Sequence, residues 1–162
     1  MDNLLHSKTM KNNLPIKEYI HEVIQANRFA VLATESDGQP HASLIAVTPS
    51  EGVLTLIFAT YRNTRKYTNL IQNGKVAILF ENRSIKGAEE ISVLTAFGQA
   101  EEVNASDSEA DTQAHLLRHP EQESFLLSTG CVLFRVKVEA YQVVRGIDDV
   151  KWWNINDPEI LC

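Results

Sequence analysis

The sequence predicts a mainly β protein, a six-stranded antiparallel barrel with helices at its edges. Six runs are rich in β-branched and aromatic side chains, and short turns separate several of them. In the last run, apolar side chains at 134, 136 and 138 alternate with charged ones at 135, 137 and 139. This alternation is typical of a strand with one buried and one solvated face. Helical patterns are few and short.

The first half of the chain predicts a helix and three strands. The helix begins at Pro15 and ends near Asn27, because its apolar residues recur at helical spacing. The Asp37-Gly38 pair is a strong hairpin signal, and a second turn is expected over residues 49–52. The three strands are expected over residues 29–35, 41–48 and 53–60.

The second half predicts two further helical segments and three more strands. Gly74 is placed to end a short helix that begins at Thr64, and Gly98 indicates a bulge or a close backbone approach inside a long strand. A further helix is expected over 106–119, and Pro120 opens one more turn. The three strands are expected over residues 75–81, 91–103 and 132–144.

Length and composition limit the class of protein. A chain of 162 residues suits one domain, here expected over 14–150, with a flexible tail at 1–13 and a C-terminal tail at 151–162. The net charge of −6 argues against a nucleic-acid-binding surface, and no apolar run is long enough to span a membrane. The polar N-terminus does not have the pattern of a signal peptide. We therefore expect a cytoplasmic protein.

Neither a disulfide framework nor a zinc site is indicated. Cys131 and Cys162 are the only cysteines, and neither belongs to a metal-binding cluster. Hydrolase chemistry is not supported either. The side chains of Asp37, His41 and Ser43 do not form a credible nucleophile triad, and no nucleophile-elbow motif is present.

The segment 60–66 departs from the charge pattern of the other helix starts. The helix that begins at Thr64 opens with Arg65 and Lys66, whereas the other helices open with acidic residues. Cations are mildly unfavourable at a helix N-terminus, which carries about half a positive charge. Free backbone N–H groups, two cations and two hydroxyls together predict an anion site. In the alternative interpretation the two cations point into solvent or pair with glutamates, while Asn63 or Thr64 caps the helix.

Two side-chain pairs elsewhere also carry alternatives. His115 and His119 are four residues apart on the expected helix, so they share a face. They could bind a metal, but no third ligand is evident, and a solvated pair is the favoured interpretation. Trp152 and Trp153 are expected either to bury apolar surface at a dimer interface or to cover a cofactor.

An ordered set of motifs resembles the pyridoxamine 5′-phosphate oxidase-like family of FMN-binding split barrels. The resemblance is close over residues 28–103 and looser to about 150. Its motifs, in chain order, are Phe29-Ala-Val-Leu-Ala-Thr34, Asp37-Gly38-Gln39-Pro40, Ile57-Phe58-Ala59-Thr60, Thr64-Arg65-Lys66, Asn69-Leu70, Asn73-Gly74, Val76-Ala77-Ile78-Leu79-Phe80 and Phe97-Gly98-Gln99-Ala100-Glu101.

This resemblance implies an FMN-binding split barrel that forms a homodimer with the cofactor at the interface. It implies that phosphate or ribityl ligands are Thr60, Thr64, Arg65 and Lys66. It also implies that the strand along the flavin ring contains Ser43, Leu44, Ile45 and Ala46. The implied activity is that of a flavin-dependent oxidoreductase, with FMN carrying the redox chemistry and no dedicated acid or base.

Two departures from the family pattern leave other functions open. True pyridoxamine phosphate oxidases carry an arginine and a lysine where this chain has Ser43 and Thr48, and the C-terminal Arg-Leu-x-Pro stretch of those oxidases is replaced here by residues 157–162. A non-enzymatic flavin-binding or sensing module is therefore one alternative. A second alternative is a haem-binding relative of the same barrel, although no histidine in the C-terminal tail offers an axial ligand.

Overall fold

A computed structural model describes residues 15–83, 85 and 90–156 of the chain. The tail expected at 1–13 and the last residues, 157–162, lie outside the described residues, as does part of the polar connection near residue 86. Within the described part, no helix is long and apolar enough to cross a membrane.

The elements follow the predicted order, with two additional strands. The helices are α1 (Ile16–Ala26), α2 (Arg65–Gln72), α3 (Ser108–Arg118) and α4 (Glu123–Leu126), with a 3-10 turn (Pro120–Gln122) before α4. The strands are β1 (Phe29–Ser36), β2 (Gln39–Ala46), β3 (Thr48–Ser50), β4 (Thr55–Tyr61), β5 (Lys75–Glu81), β6 (Ser92–Glu102), β7 (Cys131–Arg145) and β8 (Asp149–Asn154).

All eight strands form one antiparallel sheet that curls until its two edges meet. The strand order is β2-β1-β5-β6-β7-β4-β3, and β8 pairs with the second half of β7. The edge strands β2 and β3 are consecutive in the chain, and only Val47 separates them. Because one residue joins the two edges, the sheet cannot stay open, and β2 also approaches β4. We call this junction, formed by Val47 and Thr48, the seam.

The prediction of a mainly β antiparallel barrel with peripheral helices is confirmed, but the prediction of six strands is wrong. The run expected over 41–48 breaks at Val47, which turns into the interior and is fully buried. The chain after the break pairs with β4 as a separate short strand. The other added strand, β8, extends the sheet past residue 150, where the sequence placed the start of the C-terminal tail.

The barrel interior is apolar and is closed by α1. Four residues of α1 are buried: Tyr19, Ile20, Val23 and Ile24. The largest fully buried side chains in the sheet are Phe58, Phe80, Phe134 and Tyr141. Burying a side chain of this size contributes about 1.5–3 kcal/mol. The Tyr141 hydroxyl donates to the carbonyl oxygen of Val53 at 2.6 Å, so its polar end is satisfied.

Two of the three glycine signals behave as the sequence predicted, whereas Gly74 follows the end of α2 without the positive φ of a helix-ending glycine. The Asp37-Gly38 turn has positive φ at both residues, 53° and 79°, as a tight hairpin turn requires. The pairing of β6 with β7 shifts by one residue between Phe97 and Gly98, which marks the predicted bulge. A Cβ at Gly98 would lie 2.2 Å from the carbonyl oxygen of Lys137.

Candidate functional site

The start of α2 is built by a short network of hydroxyls. Thr64 has extended backbone torsions and caps the helix, because its side-chain oxygen accepts from the N–H of Tyr67 at 3.2 Å. The same hydroxyl donates to the carbonyl oxygen of Tyr61 at 2.9 Å and lies 2.9 Å from the hydroxyl of Thr60. The two threonines predicted as ligands therefore hold the turn together. The first intrahelical bond runs from Thr68 N to Thr64 O, so the N–H groups of Arg65 and Lys66 have no intrahelical acceptor.

The cations of this segment divide into one that is paired and two that are not. Arg62 forms an ion pair with Glu102 at 2.8 Å and donates to the Tyr67 hydroxyl. Within the described part of the chain, neither Arg65 nor Lys66 makes an ion pair. Lys66 is half-buried, and burial lowers the pKa of its ammonium group. An unneutralised, partly desolvated ammonium beside free helix N–H groups favours an anion.

Ser43 supplies a second polar group that has no partner. Its residue faces the interior side of β2, because it pairs with the fully buried Leu32 of β1. The hydroxyl oxygen is buried and makes no hydrogen bond with any described residue. An unsatisfied buried hydroxyl costs about 1–3 kcal/mol, so such a group needs an explanation. A ligand that accepts its hydrogen bond would provide one.

Helix α2 and strand β1 run side by side, which places the start of the helix level with Ser43. Near the end of α2, Gln72 bonds to Ser36, and one turn earlier Asn69 donates to Thr34 at 3.0 Å. From Asn69 back to Lys66 the helix rises about 4.5 Å, and two residues back along β1 span about 6.6 Å. The first turn of α2 therefore lies level with Leu32 and its cross-strand neighbour Ser43. We call the region between Ser43 and the first turn of α2 the groove.

The other predicted residues of β2 divide between the two faces of the strand. Ile45 is buried in the core, whereas Leu44 and Ala46 face outward, and Leu44 is 69% exposed. These side chains do not converge on one point, so only the backbone of the strand can contact a single flat ligand along its length. As an edge strand, β2 bonds to β1 on one side, which leaves a row of backbone groups on its other side.

The resemblance leads us to expect an arginine and a lysine at the positions of Ser43 and Thr48. At one of these two positions the side chain present here is engaged by a contact within the chain. The Thr48 hydroxyl is buried and lies 2.8 Å from Nδ1 of His115, so it points to α3. The Ser43 hydroxyl, by contrast, has no hydrogen-bond partner among the described residues. The groove therefore keeps a free polar group only at the first of these positions.

The structure corrects the interpretation of His115 and His119 as a solvated pair. Both side chains are fully buried, because α3 turns this face toward the seam. Among the described residues no cluster of three or more potential metal ligands is present. The tryptophans are also partly engaged within the chain: Trp153 stacks on Tyr141, and the half-exposed Trp152 stacks on Phe97.

His41 is a candidate that sequence reasoning considered only as a triad member. It precedes Ser43 by two residues and so lies on the same face of β2, paired with Thr34. Its Nδ1 atom is buried and without a hydrogen-bond partner among the described residues. Because side chains alternate between the two faces of a strand, the spacing of two residues is the sequence signal that links His41 to Ser43. We therefore add His41 to the groove.

The family comparison matches most of the chain. The model of the pyridoxamine 5′-phosphate oxidase family matches residues 16–144, which include every element from α1 to most of β7. The chain has no significant match among curated protein sequences.

Several solved structures share the fold at low sequence identity. A haem-binding protein from Mycobacterium smegmatis is similar with a TM-score of 0.77 at 17% identity, over 88% of this chain and 59% of that chain. This chain thus spans about three fifths of the length of that protein. A FAD-binding protein from Mesorhizobium loti has a TM-score of 0.67 at 18% identity, over 83% of this chain and 96% of that chain. A protein from Clostridium acetobutylicum related to general stress protein 26 has a TM-score of 0.68 at 15% identity, over 86% and 94% of the two chains. At such identities the likeness establishes the fold alone.

Proposed function

The chain belongs to the pyridoxamine 5′-phosphate oxidase family, and on that premise we propose that it binds the phosphate of FMN in the groove between β2 and α2. The observation that carries the proposal is the buried hydroxyl of Ser43, level with a helix start that has two cations; in the described part of the chain neither the hydroxyl nor the cations have a partner. A phosphate accepts hydrogen bonds from hydroxyl, ammonium and backbone N–H groups alike. It would satisfy Ser43 and offset the repulsion between the helix dipole and its cations.

Each residue of the groove has a distinct part in this proposal. The N–H groups of Arg65 and Lys66 and their side chains bind phosphate oxygens, and Ser43 donates one further hydrogen bond. Thr60 and Thr64 hold the turn in the shape that presents these donors. The backbone of β2 from Ser43 to Ala46 runs along the ring system. The bound flavin supplies hydride-transfer chemistry, and the protein supplies its orientation and exclusion of water.

Titration with FMN and riboflavin tests the proposal directly, because the two differ only in the phosphate. Quenching of flavin fluorescence should give an affinity for FMN at least tenfold higher than that for riboflavin. The variant Arg65→Ala/Lys66→Ala should lose most of this difference, since charge-assisted contacts contribute about 1.5–3 kcal/mol each. Arg62→Gln is the matched control, because that cation is already paired with Glu102. Equal affinity for the two flavins would place the phosphate elsewhere.

The homodimer belongs to the same proposal. Leu44, Val31 and Leu79 are cross-strand neighbours on the outer face of β2, β1 and β5, and all three are exposed. An exposed apolar patch across three strands suits burial against another protein surface. We take the occupant to be a second copy, since the patch shares Leu44 with the strand that would carry the flavin.

A flavin-dependent oxidoreductase and a flavin-binding module differ in turnover. If the protein is an oxidoreductase, NADPH or NADH should reduce the bound FMN, and an added acceptor should reoxidise it repeatedly. A module would bind FMN without such cycling. The cytoplasmic location expected from the sequence is part of this proposal.

Haem is the competing ligand, because a protein of the same fold from M. smegmatis is described as haem-binding. Haem iron needs an axial ligand. His115 and His119 are fully buried and bonded to the seam, so neither offers one without opening the fold. Addition of haemin with its absorption spectrum recorded separates the two ligands: a Soret shift that FMN does not compete away would favour haem.

A further inference from the structure

The end of α3 fastens the seam at which the barrel closes. The carbonyl oxygen of Val47 accepts from Nε of Arg118 at 3.1 Å and is 2.9 Å from Nε2 of His119. The next residue, Thr48, joins its hydroxyl to Nδ1 of His115 at 2.8 Å. The backbone N–H of Val47 is already bonded to the carbonyl of Arg28. The two histidines thus tie α3 to the one place where β2 passes into β3.

The two imidazoles are packed against each other in the interior. Both side chains are fully buried, and their ring centroids lie 4.7 Å apart. The Nε2 atom of His115 has no hydrogen-bond partner among the described residues. A neutral imidazole carries one N–H and one lone pair, whereas the protonated ring carries two N–H groups. Protonation of His115 would therefore place a second N–H group and a positive charge in the interior beside the His119 ring, with the Gln122 side chain as its polar neighbour.

Charged groups around the pair come from three sides. Arg28, before β1, places a guanidinium nitrogen 3.5 Å from Nδ1 of His119, and Arg118 lies on α3 itself. Glu121, in the 3-10 turn, lies 3.7 Å from the same Nδ1, but it is paired with Arg28 at 2.5 Å. The polar side chain of Gln122 lies on the same turn.

On the side of α3 that packs against the strands, the charged groups are Asp111 and Arg135, which neutralise each other. Asp111, one turn before His115, pairs with Arg135 of β7 at 2.5 Å. Burial and the neighbouring His119 lower the pKa of His115 to about 4, while Gln122 and Glu121 favour its charged form less strongly. Burial also lowers the pKa of His119. The closed structure therefore holds both rings neutral.

We propose that His115 and His119 form an acid-sensitive latch, which holds α3 on the seam when both rings are neutral and releases it when they are protonated. A second proton on His115 would place a positive charge in the interior, against the ring of His119. A second proton on His119 would sit on Nδ1, where it faces the guanidinium of Arg28. Once α3 moves away from the seam, water can solvate both charged rings. Acid therefore favours the open form.

Hydrogen exchange at pH 7 and pH 5 on the full chain without ligand tests the latch. The matched variant is His115→Asn/His119→Gln, because asparagine keeps a polar atom at the δ position that bonds Thr48 and glutamine keeps one at the ε position that bonds Val47. These side chains do not titrate. His21→Gln is the control, since His21 is exposed on α1.

In the wild type, amides of α3 should lose about tenfold or more protection at pH 5 after correction for intrinsic exchange. His115, whose pKa is lowered to about 4 in the closed form, changes the opening constant about tenfold per pH unit between 6.5 and 4. Amides of β5 and β6 should stay protected. The loss should persist in His21→Gln and disappear in the double variant. An equal loss in wild type and double variant would overturn the proposal. If the double variant does not fold, the imidazole NMR titration of the wild type decides: a normal titration of both rings near pH 6.5, with α3 still protected, also overturns it.

A consequence for ligand binding rests on the proposed function. Ser43–Ala46 leads directly into the seam, so release of α3 should loosen the flavin strand. The FMN dissociation constant should rise between pH 7 and pH 5 more in the wild type than in the double variant, and this comparison cancels the titration of the phosphate itself. Failure to bind FMN at pH 7 would contradict the proposed function alone, because the hydrogen-exchange result needs no flavin. Equal rises in both proteins would contradict a link between the latch and the site.

Discussion

The hydroxyls of Thr60 and Thr64 lie 2.9 Å apart and join the end of β4 to the cap of α2. Thr60 is buried, and both side chains also reach the carbonyl oxygen of Tyr61. One hydroxyl thus connects a core strand, a turn and the N-terminus of a helix. The positions of the free N–H groups at Arg65 and Lys66 depend on this contact.

Replacing the cap should change stability and binding together. In Thr64→Ala the helix loses its cap and Thr60 loses one of its two hydrogen-bond partners, so the free energy of unfolding should fall by about 1–2 kcal/mol. FMN affinity should fall several-fold, because the first turn of α2 is no longer held. Thr64→Ser should restore both, and urea unfolding with fluorescence titration measures them. An alanine variant that is less stable but binds FMN normally would separate the cap from the site.

Ser43→Ala should have effects of opposite sign on the free protein and on its complex. Without ligand, removal of an unpartnered buried hydroxyl should leave stability unchanged or raise it by up to about 1 kcal/mol. FMN affinity should fall several-fold, because the phosphate loses a donor. Ser36→Ala is the matched control, since that hydroxyl is bonded to Gln72. The control should lose a little stability and keep its affinity; a loss of stability in Ser43→Ala would show that its hydroxyl has a partner within the chain.

A charge at Leu44 should disrupt the proposed dimer. In Leu44→Asp a carboxylate would be buried in an apolar interface, which is strongly unfavourable. Sedimentation should show a dimer for the wild type and a monomer for the variant, whose fold should be intact because Leu44 is 69% exposed. Ile147→Asp is the control, at a side chain that is almost fully exposed in the turn before β8. A wild type that sediments as a monomer would contradict the interface.

The local features of the fold could be predicted because each had a local cause. The Asp37-Gly38 turn needs positive φ at two residues, and the bulge at Gly98 needs the absence of a Cβ. The break at Val47 had no such signal. It arises because the two edges of the sheet meet there, which is a property of the closed barrel and not of the residues nearby.

The candidate site was predictable in part for the same reason. Cations at the start of α2 are visible in the sequence, as a departure from the helix-dipole pattern. The burial of His115 was not visible, because α3 carries Leu117 as well, and an apolar side chain is the expected choice for the core. The structure leaves Leu117 exposed and buries the histidines, since the seam presents a carbonyl and a hydroxyl that need polar partners.

Gly98→Ala should destabilise the barrel strongly. The new Cβ would lie 2.2 Å from the carbonyl oxygen of Lys137, and both strands would have to move apart at the bulge. The free energy of unfolding should fall by about 2–4 kcal/mol. Gly38→Ala is the comparison, because its Cβ meets nothing within 4 Å and only its φ of 79° is unfavourable, which costs about 1 kcal/mol. Equal losses in the two variants would mean that β7 gives way at Lys137 with little cost.

The free energy of unfolding should fall as the pH falls below about 6.5. His115 has an ordinary pKa near 6.5 when unfolded and about 4 when folded, so between these values the unfolded chain binds a proton that the folded chain does not. The contribution of His115 to the free energy of unfolding is therefore fully present above pH 6.5. It decreases by roughly 1.4 kcal/mol per pH unit as the pH falls toward 4. Urea unfolding at pH 7, 6 and 5 measures how the free energy of unfolding changes with pH. These pH values lie above the range in which carboxylates titrate. The slope should be close to the wild-type value in His21→Gln and much shallower in His115→Asn/His119→Gln, whose side chains cannot take up the proton; a double variant with the wild-type slope would assign the acid sensitivity to other groups.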